Sequence, residues 1–412
     1  MNIYRMSWRN LFRSKRRTFI TSFSISFGVL LSVTFTGIAH YSYTNMIDTS
    51  ATMGFGHVTV QPRGYIDTPS LDKRLMNAEE TRKKILKIDG IEDAVARIVG
   101  QAMIASANKS VGGIFFGIDP SQESIEKNLF IKSIKEGEIF AKADSRGAVI
   151  GSLLAKKLNL KLNKKFVYTT TDVNGEIVSE LARVRAIFET GVDEVDGSTI
   201  LLPIDSVRKT LSYDKGDATL IAVLIDDQRN AERYRDIINK SLNDPNENAL
   251  SWKETQPELA GIITIDKSGN YIIQLLIGLL IAAGILNTLL MSVMERKREF
   301  GVMMAVGMSP STLFRLVIME SLWLAIIGLI LGVIITSPWY AYLYRVGLDF
   351  SGMIGDDYSA SGVLVDPFIR ILLYKESAAA ILSGVFALTL LSGIYPAWRA
   401  GRVPPVESLK TI

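Results

Sequence analysis

Four long apolar runs limit what this chain can become. Phe19–Ala39 carries no charge over about 21 residues, which as a helix rising 1.5 Å per residue spans roughly 32 Å, enough to cross the hydrocarbon core of a bilayer. Tyr271–Val293, Leu313–Pro338 and Ala378–Ile394 are comparable runs late in the chain. They hold much of the 48% apolar content, so the hydrophobicity is blocked rather than spread, as in a membrane protein.

The first run follows Arg5, Arg9, Arg13, Lys15, Arg16 and Arg17, with Tyr4, Trp8, Leu11 and Phe12 at helical spacing between them. This predicts a basic amphipathic helix on the cytoplasmic surface. A basic leader before an apolar run also fits a signal peptide, but the run is long for an h-region and no small-x-small site follows, so a retained membrane helix is expected.

Between the first and second runs the composition becomes that of a soluble domain. His57–Gln61 and Leu220–Ile225 alternate or run apolar as strands do, and Ala78–Ile88 and Ala231–Leu242 have helical periodicity. Asn174-Gly175 marks a hairpin turn within a strand-rich stretch of about 121–205, taken as an inserted lobe. Basic residues in the leader, in the 294–312 connection (Arg296, Lys297, Arg298) and in the tail (Arg399, Arg402, Lys410) contrast with the 340–375 loop, which sets Asp349, Asp356, Asp357 and Asp366 against Arg345 and Arg370. By the positive-inside rule both termini are cytoplasmic, and the large domain lies outside.

The expected plan is an α-helical membrane protein with one span before and three after a large α+β extracytoplasmic domain. Its segments are a leader 1–17, a first span 18–40, the domain 41–269, spans at 270–293, 310–339 and 376–395, a cytoplasmic segment 294–309, an outer loop 340–375 and a tail 396–412.

Several chemistries are absent from the sequence. There is no Walker A loop, no His-Glu-x-x-His and no Gly-x-Ser-x-Gly, and the histidines are His40 and His57. Zero cysteines exclude disulfides and thiolate metal sites. A net charge of +4, placed beside the apolar runs, does not point to nucleic acid.

What remains is the charged break after Val293. Glu295-Arg296-Lys297-Arg298-Glu299 precedes Phe300, Val302, Met303 and Val306, then Gly307 as a helix stop, and Ser309-Pro310 as N-cap and first residue of the next helix. This predicts a short surface helix over 295–307 with a methionine-bearing apolar side suited to a moving partner. Glu320, two to three turns into the third span, needs a partner or water, and an arginine of the leader is the expected one. Gly328-x-x-x-Gly332 is expected to allow close packing within the chain.

Arg298-Glu299-Phe300-Gly301 with Ala305-Val306-Gly307, the ending Tyr395-Pro396-Ala397-Trp398-Arg399-Ala400 with Pro404, Pro405, Val406, Glu407 and Leu409, and Gly117-Ile118-Asp119-Pro120 with Val149–Leu158 together resemble the type VII, or mechanotransmission, ABC transporter permeases. That group includes lipoprotein-releasing (Lol-type), macrolide-exporter and cell-division permeases. Leu162-Asn163-Lys164-Lys165 departs from the family's usual Gly-Asp turn.

The resemblance implies a two-lobed outer domain of porter and sabre type and no cofactor in this chain, with ATP and Mg bound by a separate dimeric ABC ATPase. It also implies a second permease chain, identical or a paralogue, and a lipoprotein or periplasmic chaperone as outer partner. Glu295, Arg296, Arg298, Glu299, Met303 and Gly307 would form the coupling helix, with Glu299 a candidate ATPase contact. A lipid-anchored substrate would pass Phe27, Leu31, Phe35, Leu276 and Leu280 between the first and second spans. Export of a drug, peptide or other amphiphile, or regulation of an envelope hydrolase without transport, are the alternatives.

Overall fold

The computed structural model describes residues 3–143, 145–349, 359–360, 363–364 and 368–402. Its elements begin with α1 (Ile3–Arg13) and α2 (Lys15–Ser50), the latter followed by a π-helical turn at Ala51–Phe55. Then come β1 (Val58–Pro62), α3 (Ala78–Ile85), β2 (Ile91–Ala105), β3 (Ser110–Ile118), α4 (Leu129–Lys132), β4 (Ile134–Gly137), β5 (Gly147–Gly151), α5 (Ser152–Leu158), β6 (Lys165–Thr171) and β7 (Ile177–Phe188). These lead into α6 (Asp193–Asp196), β8 (Thr199–Pro203), α7 (Ile204–Leu211), β9 (Leu220–Ile225), α8 (Ala231–Ser241), β10 (Glu247–Ser251) and α9 (Trp252–Thr255). The last helices are α10 (Pro257–Glu295), α11 (Lys297–Ala305), α12 (Pro310–Arg345) and α13 (Lys375–Ala400).

The chain divides into two units, one of residues 1–42, 264–349 and 368–412, the other of 43–263 and 350–367. In the first unit α2, α10, α12 and α13 are each long and apolar enough to cross a membrane. Small residues set how closely they pack. A Cβ on Gly328 would lie 2.7 Å from Ile25, and one on Gly332 would lie 3.1 Å from Val29, so the Gly-x-x-x-Gly of α12 is a seat for α2. The Ser26 hydroxyl donates to the Gly328 carbonyl at 3.0 Å across the same contact. Gly28 of α2 accommodates Ile281 of α10, and the Gln274 side-chain amide donates to the Ser32 carbonyl at 3.2 Å and to the Thr36 hydroxyl at 2.9 Å. Ile25, Val29, Ile281, Ile285, Leu289, Leu324 and Val385 fill the middle of the bundle.

The helices overrun the expected spans. α2 continues to Ser50, α10 starts at Pro257 rather than near 270, and α12 runs to Arg345, past the expected loop start at 340. Hydropathy finds the apolar centre of a helix and is blind to polar turns that continue it. Asp356, Asp357 and Asp366 of the outer loop, and Pro404, Pro405, Val406, Glu407, Leu409 and Lys410 of the tail, lie outside the described residues.

The second unit is built on a ten-stranded sheet in the order β10-β1-β9-β2-β3-β8-β5-β7-β4, with β6 joining β2 to β7. β2 is the shared strand. Its first half, Ile91–Arg97, pairs with β9, and its second half, Ile98–Ala105, pairs with β3. The inserted lobe expected at 121–205 therefore begins earlier, because β3 and the end of β2 already belong to its sheet. β5, β8 and β9 are buried at every position, as strands covered on both faces are. The expected β6–β7 hairpin turns at Asn174-Gly175, where Asp172 accepts from the backbone N–H of Asn174 at 2.8 Å and of Glu176 at 2.9 Å. At the departure from the family turn, Asn163 takes a left-handed φ of 66°, a conformation asparagine tolerates almost as glycine does.

Candidate functional site

The break between α10 and α11 falls at Arg296, and Glu295 ends the longer helix rather than starting the shorter. The expected 295–307 helix is thus Lys297–Ala305. Its end is a Schellman motif: Met308 N–H donates to the Met303 carbonyl at 3.0 Å, Gly307 N–H to the Met304 carbonyl at 3.0 Å, and Gly307 has a φ of 101°. Ser309 caps α12 by accepting from Thr312 N–H, with Pro310 in its first turn. Both ends of α11 are fixed by local chemistry that the sequence displays.

The helix has a buried and an open face. Phe300 is fully buried in a cluster with Val293, Leu313, Leu316, Val317, Ala397 and Ala400, and Met303 and Met304 pack partly against it. Ala397 and Ala400 are the alanines of the tail motif, and their small size lets α13 approach this cluster. On the open face Arg298, Val302, Ala305 and Val306 are exposed at helical spacing, Val306 at 84%. Val302 and Val306 were expected on one apolar side with Phe300. The structure places them opposite it, because Phe300 and Gly301 take the buried positions.

The charges around α11 are used inside the molecule. Glu320 of α12, 8% exposed, accepts from Arg296 Nη1 at 2.9 and 3.2 Å and from the Asn10 amide of α1 at 2.8 Å. The leader thus supplies an asparagine, and the cation comes from the α10–α11 joint. The reason is geometric: α1 packs along α12 with Ser7 and Leu11 inward and Trp8 edge-on to Trp323 at 4.8 Å, which points Asn10 at Glu320 while Tyr4 and Phe12 stay exposed. Glu299, proposed from sequence as an ATPase contact, pairs with Arg13 at 2.7 Å and with Arg296 at 3.2 Å. Glu295 pairs with Arg17 at 2.7 Å. Of the six residues expected to couple, Arg298 faces outward, Met303 is half-buried, Gly307 terminates the helix, and Glu295, Arg296 and Glu299 tie the segment to α1, α2 and α12.

Residues expected along a substrate path fall on outward faces. Phe27, Phe35, Leu276 and Leu280 are exposed, whereas Leu31 packs partly against the bundle core. Phe19 and Phe23, not singled out by sequence, extend Phe27 into a ladder with centroid spacings of 6.2 and 6.5 Å, and their i, i+4 spacing was the available signal. Within one chain the Gly28–Ile281 and Gln274–Ser32 contacts close the space between α2 and α10 at that level.

One polar site in the second unit escaped the sequence reading. Arg97 binds both Glu123 oxygens at 2.7 Å and donates to the Gly54 carbonyl at 2.7 Å, with both side chains 3% exposed. Its signal is an arginine within the apolar strand run Ala94–Val99. His57 is spent structurally, its Nδ1 accepting from Ile225 N–H at 3.2 Å and its Nε2 donating to Asp48 at 3.0 Å.

Comparison with known proteins gives this arrangement a family. The MacB-like periplasmic core domain matches residues 18–241, over half of the 412, and the FtsX-like permease C-terminal domain matches 271–405. The chain belongs to the type VII ABC transporter permeases. An uncharacterised ABC transporter permease of Methanocaldococcus jannaschii is 23% identical over 99% of this chain and 98% of its own length. The lipoprotein-releasing system transmembrane protein LolC of Neisseria meningitidis is 24% identical over 84% of this chain and 83% of LolC. The macrolide export ATP-binding/permease protein MacB of Shewanella oneidensis is 24% identical over 95% of this chain, which spans 58% of that protein. The protein is a multi-pass membrane permease of the LolC and MacB type, and membership implies an ABC ATPase as partner.

Proposed function

We propose that this chain takes the stroke of a separate dimeric ABC ATPase through α11 and uses it to release a lipid-anchored protein on the outer side of the membrane. The observation that carries the reading is the two-faced α11, whose back is fastened to the bundle while Arg298, Val302, Ala305 and Val306 stand open. In this reading ATP and Mg are held by the partner and both termini and α11 are cytoplasmic. The second unit acts as a two-lobed periplasmic module. A second permease chain completes the complex, so the exposed Phe27, Phe35, Leu276 and Leu280 meet lipid, cargo or the other chain rather than each other. Likeness to LolC along most of both chains supports lipoprotein as cargo, and likeness to MacB supports a small amphiphile as the second reading.

Photocrosslinking groups at Phe27 and Leu276, in membranes where the complex is turning over ATP, distinguish these. A captured lipoprotein is the expected result. Capture of a small amphiphile selects export, and an envelope hydrolase held on the second unit with nothing captured in the membrane overturns transport.

A further inference from the structure

We infer that Arg296 and Glu320 are positioning residues that mount the coupling helix on α12, and that this mount sets how much of the ATPase stroke reaches the membrane helices without contributing to ATPase binding. The inference rests on the reading of α11 as the coupling helix. α11 meets α10 at a one-residue break, and Arg296 is that residue, with φ −99° and ψ 13° outside the helical run. A side chain at such a break can fix the angle between the two helices. Arg296 does so with a fork: Nη1 reaches Glu320 at 2.9 Å and Nε reaches Glu299 at 3.2 Å, while its guanidinium lies 5.0 Å from the Phe300 ring centroid. Asn10 holds the same Glu320 oxygen from α1, so one carboxylate joins α1, the α10–α11 joint and α12.

The two bonds of Arg296 have different consequences. Glu299 lies on α11 itself, three residues along, so that bond stiffens the segment internally. Glu320 lies on α12, so that bond transfers displacement between helices. Beside them is a small cavity of about 20 Å³ whose lining mixes Thr18, Thr288 and Ser292 with Leu11, Leu289 and Leu324, so hydroxyls stay near the arginine if the link to α12 is lost. Loss of Glu320's charge therefore leaves Arg296 paired with Glu299 and the chain folded, with the joint to α12 weakened. None of these groups is on the open face of Arg298, Val302 and Val306, so contact with the ATPase surface is untouched.

The test uses Glu320→Gln and Arg296→Lys in the full chain, purified in lipid nanodiscs with the ABC ATPase that co-purifies with it. Hydrogen exchange without the ATPase reads the mount alone: backbone amides of 297–306 should exchange about tenfold or more faster in both variants, with β9 amides unchanged. With the ATPase added, the concentration giving half-maximal stimulated hydrolysis should stay within about threefold of the unsubstituted chain, while maximal cargo release per ATP falls. Unchanged exchange at α11 in Glu320→Gln and Arg296→Lys, or loss of ATPase binding in step with release, overturns the inference. If no ATPase binds the unsubstituted chain, the coupling reading fails and the inference with it, whatever the exchange shows.

Discussion

One arginine in each unit holds a glutamate and a backbone break, and the two do so with different degrees of commitment. Arg97 is 3% exposed, gives both ends of its fork to Glu123, and binds the carbonyl of Gly54 in the π-helical turn that ends the α2 run. Glu123 is also held by the Asn128 amide at 3.0 Å. Arg296 is 14% exposed, divides its fork between Glu320 and Glu299, and borders a small cavity of mixed lining. In the first arrangement both ends of the fork go to one carboxylate, which makes a fixed joint. The second keeps a partner when it gives one up, as a joint that passes motion requires.

The contrast predicts a large asymmetry. Removing Glu123 leaves a guanidinium without its carboxylate in a buried site, so Glu123→Ala should cost about 3–5 kcal/mol. Thermal unfolding of the purified chain, followed by hydrogen exchange at β2 and β9, checks it. A loss below about 1 kcal/mol would place Arg97 with ordinary surface pairs and erase the distinction.

The smallest effect should come from a partly exposed pair on α3, which serves as the control. Glu79 and Arg82 of α3 make two bonds at 2.5 and 2.9 Å, and those hydrogen bonds hold the Glu79 carboxyl below its usual range. A depressed carboxylate adds stability that is present above its unfolded pKa and lost as pH falls through the folded one. Glu79→Gln should thus cost under about 1 kcal/mol at neutral pH, and the difference should vanish in acid. A cost that persists unchanged in acid would assign the effect to something other than this charge.

What the sequence revealed follows from the range of its signals. The four spans, the α11 cap at Gly307, the Ser309-Pro310 start and the Asn174-Gly175 turn are set by residues within a few positions of each other, and all are present in the structure. Glu320 was recognisable as needing a partner because a lone acid in an apolar run is costly. Which partner it takes was not readable, because Asn10 lies 310 positions away and the choice depends on how α1 lies along α12. Arg97 was hidden for the same reason, since its partners are 43 and 26 positions distant. The faces of α11 were misjudged because Val302 and Val306 are apolar yet outward, and apolar periodicity alone does not say which face is covered.

The central claim, that the open face of α11 meets an ABC ATPase, can be tested at Val306. The chain has zero cysteines, so Val306→Cys carries a single thiol at an exposed site. A thiol-directed photocrosslinker there should join the chain to an ABC ATPase in native membranes, while the same label at exposed Ile177 of the second unit should not. Crosslinking at Ile177 and none at Val306 would contradict the account.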